Sequence, residues 1–254
     1  MQNIFDSHAH YNSTQFDDDR NEILAQLPQQ GVRMVMNAGT NIESSKQGIA
    51  LAEKYDYFYC SVGIHPHDAK NAPENLEEQL EGLVKSSSRV RAIGETGLDY
   101  HYDFSPRPEQ KDVFERQLIL ANKLDLPVIV HDREAHADVL DMLKKHKPRG
   151  IIHCFSGSAE SAKELVKMGF YIGFTGVVTY PSAKKTVAAA AAVPLDRLLV
   201  ETDCPYMSPV PHRGKRSNSA MIEHTARVLA GIKGVDPQEL LDATFENACR
   251  IYGI

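Results

Sequence analysis

Histidines and carboxylates recur in this sequence at one kind of place, the C-terminal end of a short apolar run. His8 and His10 follow Ile4–Asp6, His65 and His67 follow Phe58–Val62, and Glu95 follows Val90–Gly94. His131 follows Pro127–Val130, His153 closes the run that starts at Gly150, and Glu201 and Asp203 follow Leu198–Val200. Neutral imidazole suits zinc and other first-row divalent ions, while carboxylates supply charge and can bridge two of them. His8, His10, Glu95, His131, His153 and Asp203 therefore make a candidate ligand set for a two-metal hydrolytic centre. Two ions ~3.5–4 Å apart bring the pKa of a bridging water toward ~7 and steady both the attacking and the leaving oxygen. Asp203, at a strand end, is placed to bind a metal and to take the proton of that water, which with Glu95 gives two expected catalytic carboxylates. Each residue alone has an ordinary structural explanation; the specificity lies in their joint placement.

His8 and His10 are spaced i, i+2, so on an extended segment both point to one side, and Glu201 and Asp203 repeat that spacing. Glu201 is left between supporting a ligand and contacting metal or substrate. Past the eighth run lies Pro209-Val210-Pro211-His212-Arg213-Gly214-Lys215-Arg216. A cationic segment beside a metal site suggests a phosphate clamp, because Arg reads phosphate through two parallel hydrogen bonds and Lys acts as a point charge. Cys154 and Cys204 directly follow two candidate ligands and read as small buried residues beside a crowded site.

Something must bring residues that are far apart in sequence to one point. The apolar runs, near Ile4–Asp6, Val32–Asn37, Phe58–Val62, Val90–Gly94, Pro127–Val130, Gly150–His153, Tyr171–Phe174 and Leu198–Val200, are continuous rather than alternating, as in a parallel sheet covered on its outer face. Amphipathic stretches separate them. Val113, Phe114, Leu118, Ala121 and Leu124 share one face of a helix over Glu109–Leu124, with Lys, Glu and Gln elsewhere. Ser158 reads as the N-cap of a helix through Leu165 to Met168, and a C-terminal helix follows Asp236-Pro237. Ala188–Ala192 reads as helix and Lys184-Lys185 as its solvated face. Repeated strand–helix alternation predicts a single-domain α/β fold, a (β/α)8 TIM-type barrel over residues 1–254, with the metal site where all strand C-termini open onto one face. No Gly-x-Gly-x-x-Gly follows the first run, which removes the usual nucleotide fingerprint.

Composition narrows the partners. A net charge of −6 argues against a protein that coats duplex DNA, so nucleic-acid contact should be local, such as gripping one chain end. Scattered cysteines without a Cys-x-x-Cys pair favour a reducing cytoplasm, and neither a signal peptide nor a membrane span is evident. Nothing points to an obligate protein partner.

Seven segments resemble the TatD family of metal-dependent deoxyribonucleases, within the amidohydrolase-like barrels. They are FDSHAHYNS (5–13), VGIHPHDA (62–69), IGETGLDYHYD (93–103), PVIVHDREA (127–135), HCFSGS (153–158), LVETDCPYMSP (199–209) and HRGKRSN (212–218), spanning the chain in order. The resemblance implies one metal held by His8, His10, Glu95 and Asp203 and a second by Glu95, His131 and His153. It also implies that His65 and Arg213 face the substrate, and a Mg²⁺-dependent 3′→5′ exonuclease on DNA, single-stranded or at frayed 3′ ends. One departure is visible: after Lys215-Arg216 the chain reads Ser217-Asn218-Ser219-Ala220 without the family's nearby Pro.

Taken with the basic loop, the expectation is a deoxyribonuclease using two divalent ions, with Arg216 joining Arg213, His65 and Glu201 as substrate contacts. The alternatives are an amidase or esterase acting on a small carbonyl substrate, which the same activated water could attack, and a non-catalytic metal or nucleic-acid binder. Zn²⁺, Mn²⁺ or Fe²⁺ suits so many imidazoles better than Mg²⁺, which prefers oxygen.

Overall fold

The strands pair in chain order in one parallel sheet. They are β1 Ile4–Ala9, β2 Val32–Asn37, β3 Phe58–Val62, β4 Val90–Asp99, β5 Val128–Arg133, β6 Gly150–Ile152, β7 Tyr171–Phe174 and β8 Leu198–Val200. Around them run α1 Arg20–Gln26, α2 Ile42–Lys54, α3 Leu76–Ser86, α4 Arg107–Leu124, α5 His136–His146, α6 Ala159–Lys167, α7 Lys184–Ala192, α8 Ile222–Lys233 and α9 Pro237–Tyr252. The structure is a computed structural model and describes residues 1–254. The sheet nearly closes into a barrel: beyond the end of β8, Asp203 N–H donates to His8 O (2.9 Å) and His10 N–H to Cys204 O (2.8 Å). The closing bonds thus lie among the candidate ligands themselves.

Strand residues divide between two apolar clusters, as the period of two requires. Val128 and Val130 pack outward with Phe114 and Leu118 of α4 and Leu143 of α5. Phe5, Ala92, Ile129, Ile151, Tyr171 and Leu199 cluster instead with Ala248, Ile251 and Tyr252 of α9. The Phe5 ring lies 5.9 Å from those of both Phe245 and Tyr252, so α9 covers the N-terminal end of the barrel. Burying a side chain such as Phe5 there contributes about 1.5–3 kcal/mol. Tyr252 Oη donates to Ser7 O (2.8 Å), which ties this cover to the strand carrying His8.

Several strands extend past the apolar runs. β1, β4 and β5 continue through His8, Glu95 and His131, which lie within strands rather than after them. The polar residues go on pairing, with Gly97 opposite His131 and Asp99 opposite Arg133. An apolar-run reading stops where polarity begins, but ladder pairing does not. Helix starts follow their caps: Ser158 accepts from Ser161 N–H at α6, and Asp236 from Gln238 N–H at α9. On α4, Gln110 and Gln117 are buried on the apolar face instead of facing solvent. No helix is long and apolar enough to cross a membrane.

Candidate metal centre

His8 and His10 converge as their spacing predicts, with Nε2 atoms 3.0 Å apart. Glu95 Oε2 lies 3.4 Å from His8 Nε2 and 3.3 Å from His10 Nε2, and Asp203 Oδ1 lies 3.6 and 3.3 Å from the same atoms. Donors about 2.1 Å from a common ion are separated by about 3.0 Å in octahedral and about 3.4 Å in tetrahedral coordination, so this spacing fits one divalent cation. On the other side of Glu95, Oε1 lies 2.8 Å from His153 Nε2 and 3.0 Å from His131 Nδ1, and those nitrogens are 3.2 Å apart. The two donor clusters fit two divalent ions, with Glu95 common to both.

Hydrogen bonds to the remote ring nitrogens decide which nitrogens carry lone pairs. His10 Nδ1 donates to Ala38 O (3.1 Å), leaving Nε2 as the donor atom toward the first cluster. His131 Nε2 donates to Asp99 Oδ2 (3.2 Å), leaving Nδ1 toward the second. His65 is the opposite case. Its Nδ1 accepts from His67 N–H (3.1 Å), so the proton sits on Nε2, which faces Glu95 Oε1 at 3.3 Å. His65 is within reach of the second cluster as one of a His65–Glu95–His131 group. Its tautomer nonetheless makes it a hydrogen-bond donor rather than a ligand.

Electrostatics agree with a site built for positive charge. Burial raises the Glu95 and Asp203 carboxyls, but the surrounding histidines outweigh it and hold Glu95 well below, and Asp203 below, the usual carboxylate range. Burial opposes charge on His10, yet its hydrogen bonds to Asp203 and Glu95 push it up to about 10. His153 is likewise raised against burial, chiefly by the charge of Glu95. Burial wins at His65, lowering it to about 4. Burial also lowers His8, whereas at His10, His131 and His153 the carboxylates draw protons onto nitrogens whose lone pairs a dication would take.

Sequence reasoning missed the residues that aim these groups. Asp99, fully buried, accepts from His67 Nε2 (2.8 Å) and His131 Nε2 through Oδ2, and from the N–H groups of His101 and Tyr102 through Oδ1. Gly97 lets β4 run beside β5 to reach that position: its φ is +139°, and a Cβ there would lie 2.0 Å from His131 O. Gln110 of α4 accepts from Asp99 N–H (2.9 Å) and donates to Asp99 O (3.1 Å). Two turns later Gln117 does the same for Ile64, at 2.8 and 3.0 Å, fixing the residue before His65. The available signal was the i, i+7 spacing of two glutamines on an apolar stripe.

A cavity of about 780 Å³ opens over the centre, lined among others by His65, His67, Tyr102, Arg133, Asp203 and Tyr206. Of the residues expected at the substrate, His65 lies in it. Arg213 is exposed beside Tyr180, its guanidinium 4.4 Å from the ring centre. Arg216 pairs with Asp19, donates to Gln15 O and lies over Phe16 at 4.8 Å, contacts that anchor the loop. Glu201 lies beneath the ligands rather than at the cavity wall. It is fully buried, accepts from Cys154 N–H and Ser7 Oγ, and lies 3.7 Å from His153 Nδ1. Gly173 makes its room, since a Cβ there would meet Glu201 Oε2 at 2.3 Å. Cys154 is packed beside the centre, its thiol pushed up to about 12 by burial.

Comparison with known proteins gives the chain its family. The family described as TatD related DNase matches residues 5–253. YabD of Bacillus subtilis, named an uncharacterized metal-dependent hydrolase, is 40% identical over 99% of both chains. A Cronobacter sakazakii protein named 3′-5′ ssDNA/RNA exonuclease TatD is 36% identical over 98% of this chain and 97% of its own. The crystal structure of YjjV, a TatD homolog of Escherichia coli, superposes with a TM-score of 0.93 at 31% identity, covering 99% of this chain and 98% of that one. With its nearly closed barrel and two histidine–carboxylate clusters, the chain belongs to the TatD family of metal-dependent hydrolases.

Proposed function

We propose that the protein removes nucleotides from the 3′ end of single-stranded DNA, or of a frayed duplex end, by hydrolysing a phosphodiester bond at a two-ion centre. Glu95 carries this reading, because its two oxygens face separate nitrogen clusters and join them into one site. His8, His10, Glu95 and Asp203 would hold one ion, and Glu95, His131 and His153 the other. Such ions polarise a phosphoryl oxygen and bring a water's pKa toward ~7. Asp203 is the carboxylate with room to take the proton of the attacking water: its side chain is 13% exposed, against 4% for Glu95. The His65 Nε2–H and the Arg213 guanidinium supply donors to phosphoryl oxygens.

Nucleic acid is favoured over a small carbonyl substrate by the size of the cavity, about 780 Å³, and by the single-strand exonuclease activity in the name of the Cronobacter relative. The acidic net charge confines contact to a chain end. Four free cysteines favour work in the cytoplasm. A substrate panel tests the reading: with Mg²⁺ or Mn²⁺ added, a single-stranded oligonucleotide should be consumed, while a lactone and an N-acyl amide should not. Consumption of the carbonyl substrates with the oligonucleotide intact would replace this proposal.

A further inference from the structure

Four of the five large apolar side chains exposed on this protein, Tyr102, Phe104, Tyr206 and Val210, lie on the loops after β4 and β8, at the mouth end of the barrel. Tyr102 and Phe104 form a stacked pair among them. They are 47% and 55% exposed, yet their rings stack with centroids 5.2 Å apart and planes 24° apart. The Arg133 guanidinium lies 4.7 Å from the Tyr102 ring centre and has no carboxylate partner.

The group is also tied to the metal centre. His67 sets its edge against Tyr102 (5.4 Å, 90°) and Phe104 (4.8 Å, 67°), and its Nε2 donates to the Asp99 oxygen that also holds His131. Tyr102 N–H donates to the other Asp99 oxygen (2.9 Å), and Arg107 pairs with Asp103 between the two aromatic residues. One buried carboxylate thus fixes both a ligand of the second cluster and the rim that carries the stacked rings. Aromatic groups held open to water beside an unpaired cation match the chemistry of single-stranded nucleic acid, whose bases stack on rings while its backbone seeks positive charge.

We infer that Tyr102, Phe104 and Arg133 form a nucleobase-stacking subsite for the strand whose end enters the metal centre. The inference rests on the nuclease reading and deepens it. Stacking needs an unpaired base but no particular base, so the subsite selects single strands without reading sequence.

The test compares the wild type with Tyr102→Ala/Phe104→Ala and Tyr102→Phe, on an oligonucleotide and on the same strand with abasic sugars near its 3′ end. The wild type should prefer the base-bearing strand by about fivefold or more in kcat/KM, the scale of one lost stacking contact. The preference should collapse toward unity in the double alanine variant and persist in Tyr102→Phe, which keeps the ring. Equal use of both strands by the wild type, or an undiminished preference in the alanine variant, overturns the subsite while leaving the nuclease reading standing. Hydrolysis of neither strand removes that reading and the subsite with it.

Discussion

Asp99 holds His131 by the nitrogen that faces away from Glu95: Nε2 is 3.2 Å from Asp99 Oδ2, while Nδ1 is 3.0 Å from Glu95 Oε1. The carboxylate fixes both the ring's orientation and its tautomer. Removing such a partner typically weakens a metal site by about 10–100-fold. Asp99→Ala should therefore weaken one of two binding steps when chelated protein is titrated with Zn²⁺ or Mn²⁺, leaving the step at His8 and His10 near its original affinity. Unchanged binding, or equal loss at both steps, would show that Asp99 does not act through His131.

Metal binding should release protons. In the metal-free protein His10 is raised to about 10, above an unfolded value of about 6.5. A raised histidine contributes stability that is fully present below about 6.5 and is lost as pH climbs through about 10. Metal-free protein should lose stability over that window, while an ion at Nε2 displaces the proton. Apparent affinity should then rise by up to tenfold per pH unit for each proton released. Calorimetric titration at pH 8 in buffers of different ionisation enthalpy checks this, and a heat independent of buffer would contradict it.

How much of this was legible follows from what each residue does. The six expected ligands sit at the ends of apolar runs, and the barrel needs only those runs and the helices between them, so periodicity exposed both. Asp99, Gln110 and Gln117 act across space on other residues' backbone or ring nitrogens, and no local pattern marks them. The anchoring contacts of Arg216 were hidden for the same reason. A cationic loop looks like a clamp until Asp19, nearly two hundred positions earlier in sequence, is found beside it.

Gln117 links helix α4 to the residue before His65. Gln117→Leu would leave the buried N–H and C=O of Ile64 without partners, at a cost of about 1–3 kcal/mol for each group. Thermal denaturation should show a lower Tm, and KM should rise as His65 loses its fixed position. A variant as stable as the parent would mean that water or backbone rearrangement satisfies Ile64.

Arg213 and Arg216 should separate cleanly. Arg213→Ala should raise KM for DNA with little change in Tm. Arg216→Ala should lower Tm only slightly, as expected for a partly exposed, solvent-screened ion pair, and leave KM nearly unchanged. A larger effect of Arg216→Ala on KM than of Arg213→Ala would return Arg216 to the substrate.

The most direct test of the two-ion reading uses a 5′-labelled single-stranded DNA oligonucleotide with added Mg²⁺ or Mn²⁺, beside a chelated sample and the Asp203→Ala variant. The predicted result is a ladder shortening from the 3′ end that requires the metal and disappears in the variant. Shortening that survives chelation, or that proceeds undiminished in Asp203→Ala, would contradict the account.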